Sequence, residues 1–586
     1  MSGTGNLVSR IYSNFRGVDF RGEEINLVRS PDSLNMWKDY KKTNSIRTRP
    51  IAEEFIGTSA FPTTFDRPIY GIFFYKGEMI IHGGLWLYKM KIGKPETLER
   101  MQLPESVTSL KRIRSNAFVF GEKWYFMDGQ NYLVYDGETV KEVVGYIPTT
   151  SIGRKPEGGG TVHEDINMLS PYRTNTFVGD GKSRLYCLDD TEIDVSAITV
   201  EVDGKVKRQN DHFSVNVFKG EILFKVIDGN PNYQPPPAPK TDGQDNVKIT
   251  FKKTVQGHAD RIKKCTLSQV FDNRIFVSGN DAYPNVVWHC SLYDPSYWSD
   301  KDYYEEGLDS AKVNGLVAGS DALLVFREPS DANTTVFYHR PIVDDDYGGK
   351  IYPSQHTSVS IGCVGKAINF NDDIVFFSPR GMEAVCVDKL TAEQVLEHRS
   401  SLVDRKLITE SGYKRMVLAE WEGYLMVFID TKVYLADSRA VFTNEDHIEY
   451  EWFYWDLGNK NVYCATVYDG ELYIGSDMGV FKLVKKDADI ESYWTTPKDK
   501  FEYPHKLKTT NKRGCVVEST GDISVYAKLE DTGFEHIGTY ENVTDYFVSR
   551  IKRKKFKDIQ LKFHSNTSFS LETATLECFI GGYIKR

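Results

Sequence analysis

The sequence predicts an all-β fold: a β-propeller of six to eight blades, with an inserted small β domain and a C-terminal β module. Three observations predict it. A strand–turn–strand pattern recurs along the chain, as in "FFYKGEMIIHGGLWLYKM" from Phe73, "FVFGEKWYFMDGQNYLVYDG" from Phe118 and "VYDGELYIGSDMGVFKLV" from Val467. Aromatic residues make up 13% of the 586 residues, with 34 Tyr and 33 Phe, which fit a pleated and half-buried surface. The 46 Gly are scattered as turn punctuation, and helix signals are sparse.

The turns of the repeat fall near Gly77, Gly121, Asn273, Asp321, Asp372, Gly423 and Gly470, mostly 44 to 51 residues apart. Gly, Asn and Asp supply the left-handed backbone that two-residue hairpin loops require. A period of about 40–50 residues holding about four strands is the mark of propeller blades. One such unit cannot bury both of its faces, and stacking does this for it.

The segments follow in order. Residues 1–50 are polar and without a clean period, and read as an N-terminal arm. Residues 51–180 read as the first part of the propeller. The 152-residue gap between Gly121 and Asn273 leaves room for an insertion. It is placed at 181–258, with strands at 198–202, 213–218, 221–226 and 247–251 and a rigid "PPPAP" connector at 235–239 that cannot sit in a central strand. Residues 259–490 resume the propeller, and 491–586 read as a C-terminal β module. The best helix candidate is 390–405, with Thr391 as its N-cap.

Chemistry-bearing motifs are not legible. The twelve His form no HExxH, the eight Cys form no CxxC, and there is no GxSxG, GxxxxGK[ST] or GxGxxG. No catalytic, metal-binding or cofactor-binding residue is assigned, no cofactor is expected, and the chain is not expected to be an enzyme. Acidic clusters at Asp189-Asp190 and Asp344-Asp345-Asp346 read as solvated turns rather than Ca²⁺ sites. The eight scattered Cys read as free thiols of a reducing compartment. The opening residues lack an apolar core of a leader, and no run approaches a membrane span. A net charge of −9 argues against a tight grip on nucleic acid. Two stretches stand out. The aromatic loop 277–300 offers Tyr283, Trp288, Tyr297 and Trp298 as candidate subunit-interface residues, with core packing as the rival reading. The basic run 549–557 offers Arg550, Lys552, Arg553, Lys554 and Lys555 as a candidate contact for DNA or a partner, or else a blunted strand edge.

The opening "VSRIYSNFRGVDF…RSPDSLNMWKDYKKTNSIRTRP", together with "FDNRIFVSGNDAYPNVVWHCSLYDPSYW" and "LLVFREPS", resembles the packaged-DNA stabilisation and tail nozzle proteins of tailed bacteriophages. The arm of that family carries the pattern D-x-x-N…R-x-R-P-G, matched here by Asp32, Asn35, Arg47, Arg49 and Pro50, with Ile51 in place of the Gly. The resemblance implies a structural virion protein, assembled in the host cytoplasm. It implies a homo-oligomeric ring, a hexamer or matched to a dodecamer, below the portal and adaptor and beside other tail proteins. Packaged double-stranded DNA would pass through it without sequence-specific binding and be retained until ejection. Trp37 would then anchor the arm on the propeller or a neighbouring subunit, and Arg47 and Arg49 would pair with carboxylates there. The alternatives are a receptor- or carbohydrate-binding tail protein and, behind it, a propeller glycoside hydrolase, whose two carboxylates would come from different blades.

Overall fold

A computed structural model describes residues 6–583 apart from 23–24, 42–44, 63–67, 197, 332–333, 344–348, 388–393, 445–446 and 553. It is all-β, with sheets of the propeller-blade type. Contacts divide it into two compact units, one of residues 1–101, 325–336 and 356–586, the other of 102–324 and 337–355.

The hairpin reading holds at six of its seven turns; at Asp321 the connection is a four-residue loop, 319–322, between Val313–Ala318 and Leu323–Arg327. Lys76-Gly77, Gly121-Glu122, Asp272-Asn273, Asn371-Asp372, Glu422-Gly423 and Asp469-Gly470 all have φ between 44° and 79° at both positions. Each joins two antiparallel strands as a two-residue loop. Positive φ at both positions gives the turn whose twist matches that of the flanking strands.

In the first unit, four-stranded antiparallel sheets span 69–100, 367–398 and 417–456. A fourth is made of three strands between 462 and 484, completed by Ile51–Gly57 from near the start of the chain. Ile69–Tyr75 packs on Val462–Tyr468, which packs on Val417–Trp421, so consecutive sheets lie face to face. The fourth strand of the 367–398 sheet is Gln394–His398, where a helix is expected from sequence. Its pairing with Gly381–Val387 completes the sheet, and that tertiary demand overrides local propensity. The proposed N-cap, Thr391, lies outside the described residues, and a single helical turn follows at Asp404–Leu407.

The second unit carries four-stranded sheets at 116–142 and 267–305. Asn116–Phe120 packs on Leu267–Phe271, which packs in turn on Val313–Ala318. The first two sheets are therefore neighbours although residues 143–266 lie between them, as an insertion requires. The insert starts earlier than the sequence indicates. Thr149–Arg154 and Tyr172–Phe177 belong to its six-stranded sheet, beside Thr199–Val202 and Val247–Lys252. A three-stranded sheet with Leu185–Cys187, Phe213–Asn216 and Glu221–Phe224 covers it, and Phe177, Tyr186, Val200, Phe213, Ile249 and Phe251 fill the space between. Thr149–Arg154 pairs with Tyr172–Phe177 in parallel, with register shifts, so no hairpin signal marks this edge of the domain.

The C-terminal module is not separate from the arm. Its strands Lys506–Leu529, Ile559–Ser565 and Phe569–Tyr583 belong to an eleven-stranded sheet that also takes Leu7–Tyr12, Ser33–Leu34, Met36–Lys38 and Ile46–Thr48. Leu7–Tyr12 runs antiparallel to 574–579. One hydrophobic core joins Tyr12, Phe15, Trp37 and Ile46 to Trp421, Phe453, Trp455, Trp494, Val517 and Leu561.

A titrating cluster sits in the 367–398 sheet. His398 Nδ1 lies 3.3 Å from Glu383, and its Nε2 lies 2.5 Å from Asp404. Burial disfavours the charged ring, but hydrogen bonds and charge from Asp404 and Glu383 outweigh it and raise His398 to about 10. A raised folded value stabilises fully below the unfolded value of about 6.5 and loses that contribution as pH climbs toward 10. Urea titrations at pH 7 and 9.5 should show the protein losing on the order of 2 kcal/mol more than a His398→Gln variant. Equal losses in the two proteins would discount the cluster.

Candidate functional site

The arm residues that the sequence singles out converge on one joint in the first unit. Asn35 takes the left-handed conformation, with φ of 57°, which Asn tolerates better than most residues. This turn aims its side chain at three chain segments. Its Oδ1 accepts from Arg49 Nε at 2.9 Å and from the Asp456 backbone N–H at 2.8 Å. Its Nδ2 donates to the Glu491 carbonyl at 2.9 Å. Arg49 then donates to the carbonyls of Pro50 and Asp456, both at 2.8 Å. Burial lowers the Arg49 guanidinium to about 10, with the Asp456 charge opposing. Asp32 accepts from Tyr493 OH at 3.0 Å. The pattern D-x-x-N…R-x-R-P is thus a latch that ties the arm to the end of the 417–456 sheet and to the entry of the C-terminal module.

The latch differs from expectation in its partners. Arg49 binds neutral oxygens, not carboxylates. The carboxylate lock is made by a residue that the sequence leaves unmarked: Arg29 grips buried Glu451 through two bonds of 2.8 and 2.7 Å, with Phe442 4.2 Å from its guanidinium. Trp37 is 2% exposed. Its ring stacks on Trp421 at 5.5 Å and meets Trp455 edge-on at 5.9 Å, so its anchoring surface lies within its own chain.

Beside the latch is a cavity of about 120 Å³. Four cations line it, Arg47, Arg49, Lys485 and Lys486, against two carboxylates, Asp39 and Asp487. Lys485 also bonds Glu422 at 3.0 Å and Lys486 bonds Glu53 at 2.8 Å. Arg47 Nε and the Trp37 indole N–H are buried with no hydrogen-bond partner among the described residues.

The other candidates lie elsewhere. Trp288 and Trp298 are core residues of the second unit, 2% and 0% exposed. Trp298 donates to the Pro295 carbonyl at 2.8 Å and meets Tyr132 edge-on. This corrects their candidacy as interface residues, because their surfaces are spent on their own fold. Tyr297 is half-buried, with its hydroxyl donating to the Asp165 carbonyl. Tyr283 is exposed and covers Trp288 edge-on at 5.8 Å. Arg550, Lys552, Lys554 and Lys555 are exposed; Lys554 pairs with Glu535 at 2.9 Å, Lys555 stands in a short strand against 508–509, and Arg553 lies outside the described residues. Asp190 pairs with Arg173 and Asp189 accepts from Thr150, each at 2.6 Å, while Asp344–Asp346 lie outside the described residues. No group of three His, Cys, Asp or Glu with metal-binding geometry occurs among the described residues. No helix among them is long and apolar enough to cross a membrane.

Comparison with known proteins adds only loose likenesses. No family model matches the chain, and no curated protein does. Among solved structures it is similar to PorZ, a surface component of the type-IX secretion system of Porphyromonas gingivalis, at 10% identity over 92% of this chain and 87% of that one, with a TM-score of 0.22. It is also similar to the extracellular domain of a putative one-component system of B. thetaiotaomicron, at 8% identity over 93% and 79%, with a TM-score of 0.23. An exo-beta-1,3-galactanase of Phanerochaete chrysosporium overlaps at 8% identity over 53% and 94%, with a TM-score of 0.21.

Proposed function

We propose that this chain is a structural protein of a tailed-phage virion, a ring-forming tail nozzle or stabilisation protein through which packaged DNA passes. The observation that carries the reading is the latch. Asp32, Asn35, Arg49 and Pro50, four positions of the pattern shared with that family, take part in one intramolecular joint. Motif residues that tie distant chain segments together suit a scaffold. The net charge of −9 also suits a conduit wall that does not hold a polyanion.

The test is light scattering on the purified chain, alone and with portal–adaptor complex, followed by negative-stain imaging. A ring, free or formed on the connector, is the expected result. A monomer that ignores the connector overturns the reading. A receptor- or carbohydrate-binding tail protein is the second reading, favoured by the adjacent exposed Leu292 and Tyr293, at 50% and 66% exposure. Glycan binding lost on Tyr293→Ala would move the assignment to it.

A further inference from the structure

The cavity beside the latch has the chemistry of an anion site. We propose that it binds one tetrahedral oxyanion of the phosphate type, held between the arm and the C-terminal module. This inference is independent of the virion reading.

The argument rests on the donor balance of the walls. Lys485 and Lys486 have carboxylate partners, Glu422 and Glu53. Arg49 has three acceptors, all neutral: Asn35 Oδ1 and two carbonyls. Its positive charge is therefore hydrogen-bonded but not balanced by a carboxylate at contact. Arg47 Nε and Trp37 Nε1 are buried donors with no acceptor among the described residues, and leaving such donors unmet costs about 1–3 kcal/mol apiece in general. Hydroxyls of Thr48, Thr520, Ser568 and Ser570 complete the lining. The space of about 120 Å³ holds roughly four waters at ~30 Å³ each, enough for a phosphate group. Guanidinium forks match phosphate oxygens in shape, and a charge-assisted bond in a partly enclosed site is among the stronger polar contacts. A bound oxyanion would bridge the Ile46–Thr48 strand of the arm and the 568–570 segment of the module, fixing the two ends of the chain together.

The probe is inorganic phosphate against chloride at matched ionic strength and pH, read by thermal unfolding. Phosphate should raise the melting temperature of the full chain by about 2 °C or more, and an Arg47→Met variant should lose the shift. If that variant does not fold, Lys486→Met serves, since Lys486 lines the cavity and its side chain is half-exposed; it should at least halve the response. No phosphate-specific shift in the unaltered protein, or an equal shift in the variant, overturns the proposal. A short single-stranded oligonucleotide in place of phosphate separates the sources. A shift with phosphate alone assigns a free ion, and a shift with both assigns phosphates of a nucleic-acid backbone.

Discussion

Replacing Arg29 by Met should destabilise the first unit by about 3–5 kcal/mol, because it leaves a buried carboxylate without its counter-charge. Glu451 is fully buried, and the Arg29 side chain is only 10% exposed. Their two bonds, at 2.8 and 2.7 Å, join residues 422 positions apart. Arg16 lies 3.8 Å from the same carboxylate, but it is 41% exposed and makes a single long contact, so it replaces little of what is lost. The pair itself need not be a large net gain, since desolvating both charges offsets much of their attraction. A double variant, Arg29→Met with Glu451→Met, should therefore recover more than half of the single variant's loss. Denaturant unfolding followed by Trp fluorescence measures both. A single variant within 1 kcal/mol of the unaltered protein would show that Arg29 does not lock the arm. Limited proteolysis adds a local readout, with cleavage before residue 50 rising in the single variant.

What could be read from the sequence was whatever is local. The six two-residue turns are local, because in each a Gly, Asn or Asp marks at least one of the two left-handed positions. The strands that flank them follow within a few residues. The rest depends on partners far along the chain. Nothing near Ile51–Gly57 states that it pairs with 479–484, and nothing near Leu7–Tyr12 states that it adds to 574–579. The arm looks irregular in sequence because three of its short strands, Leu7–Tyr12, Ser33–Leu34 and Ile46–Thr48, take pairing from the C-terminal module. The early edge of the insert, Thr149–Arg154, is hidden for the same reason, since its pairing is parallel and shifted. At the site, Asn35 and Arg49 stand out by motif, and Trp37 by residue type. Glu451 is one acid inside the aromatic strand His447–Asp456 and Lys485 and Lys486 follow the end of Gly479–Val484, and only the fold brings them to the joint. Conversely, Trp288 and Trp298 look like an interface in sequence because their irregular loop, rich in Asn and Pro, carries Trp and Tyr, the residue types favoured at interfaces. The loop in fact folds over its own core, with the Asn167 side chain accepting from the Trp298 N–H at 3.0 Å and donating to the carbonyls of Tyr146 and Ser296, both at 2.8 Å.

Trp37→Ala should remove about 3–5 kcal/mol, the usual range for deleting a large aromatic side chain from a core. The location decides how that loss appears. Trp37 touches Trp421, Tyr424 and Trp455, with ring centroids at 5.5, 5.9 and 5.9 Å, and its indole lies 5.2 Å from the Lys485 ammonium. Those three aromatics sit on strands of the 417–456 sheet, which keeps its own ladder of backbone bonds without Trp37. Trp37 itself sits in the arm hairpin, whose partner strand Ile46–Thr48 pairs with only Ser570 and Leu571 of the module. The side chain is therefore the main apolar tie of that hairpin to the 417–456 sheet, and its loss should release the arm before that sheet unfolds. The expected result is a thermal profile that splits into two steps in Trp37→Ala, with the near-ultraviolet circular dichroism of the stacked Trp pair already gone before the first. Trp37→Phe, which keeps a ring over Trp421, should lose less and melt in one step. A single cooperative transition in Trp37→Ala, merely shifted to lower temperature, would mean that the arm and the sheet stand or fall together.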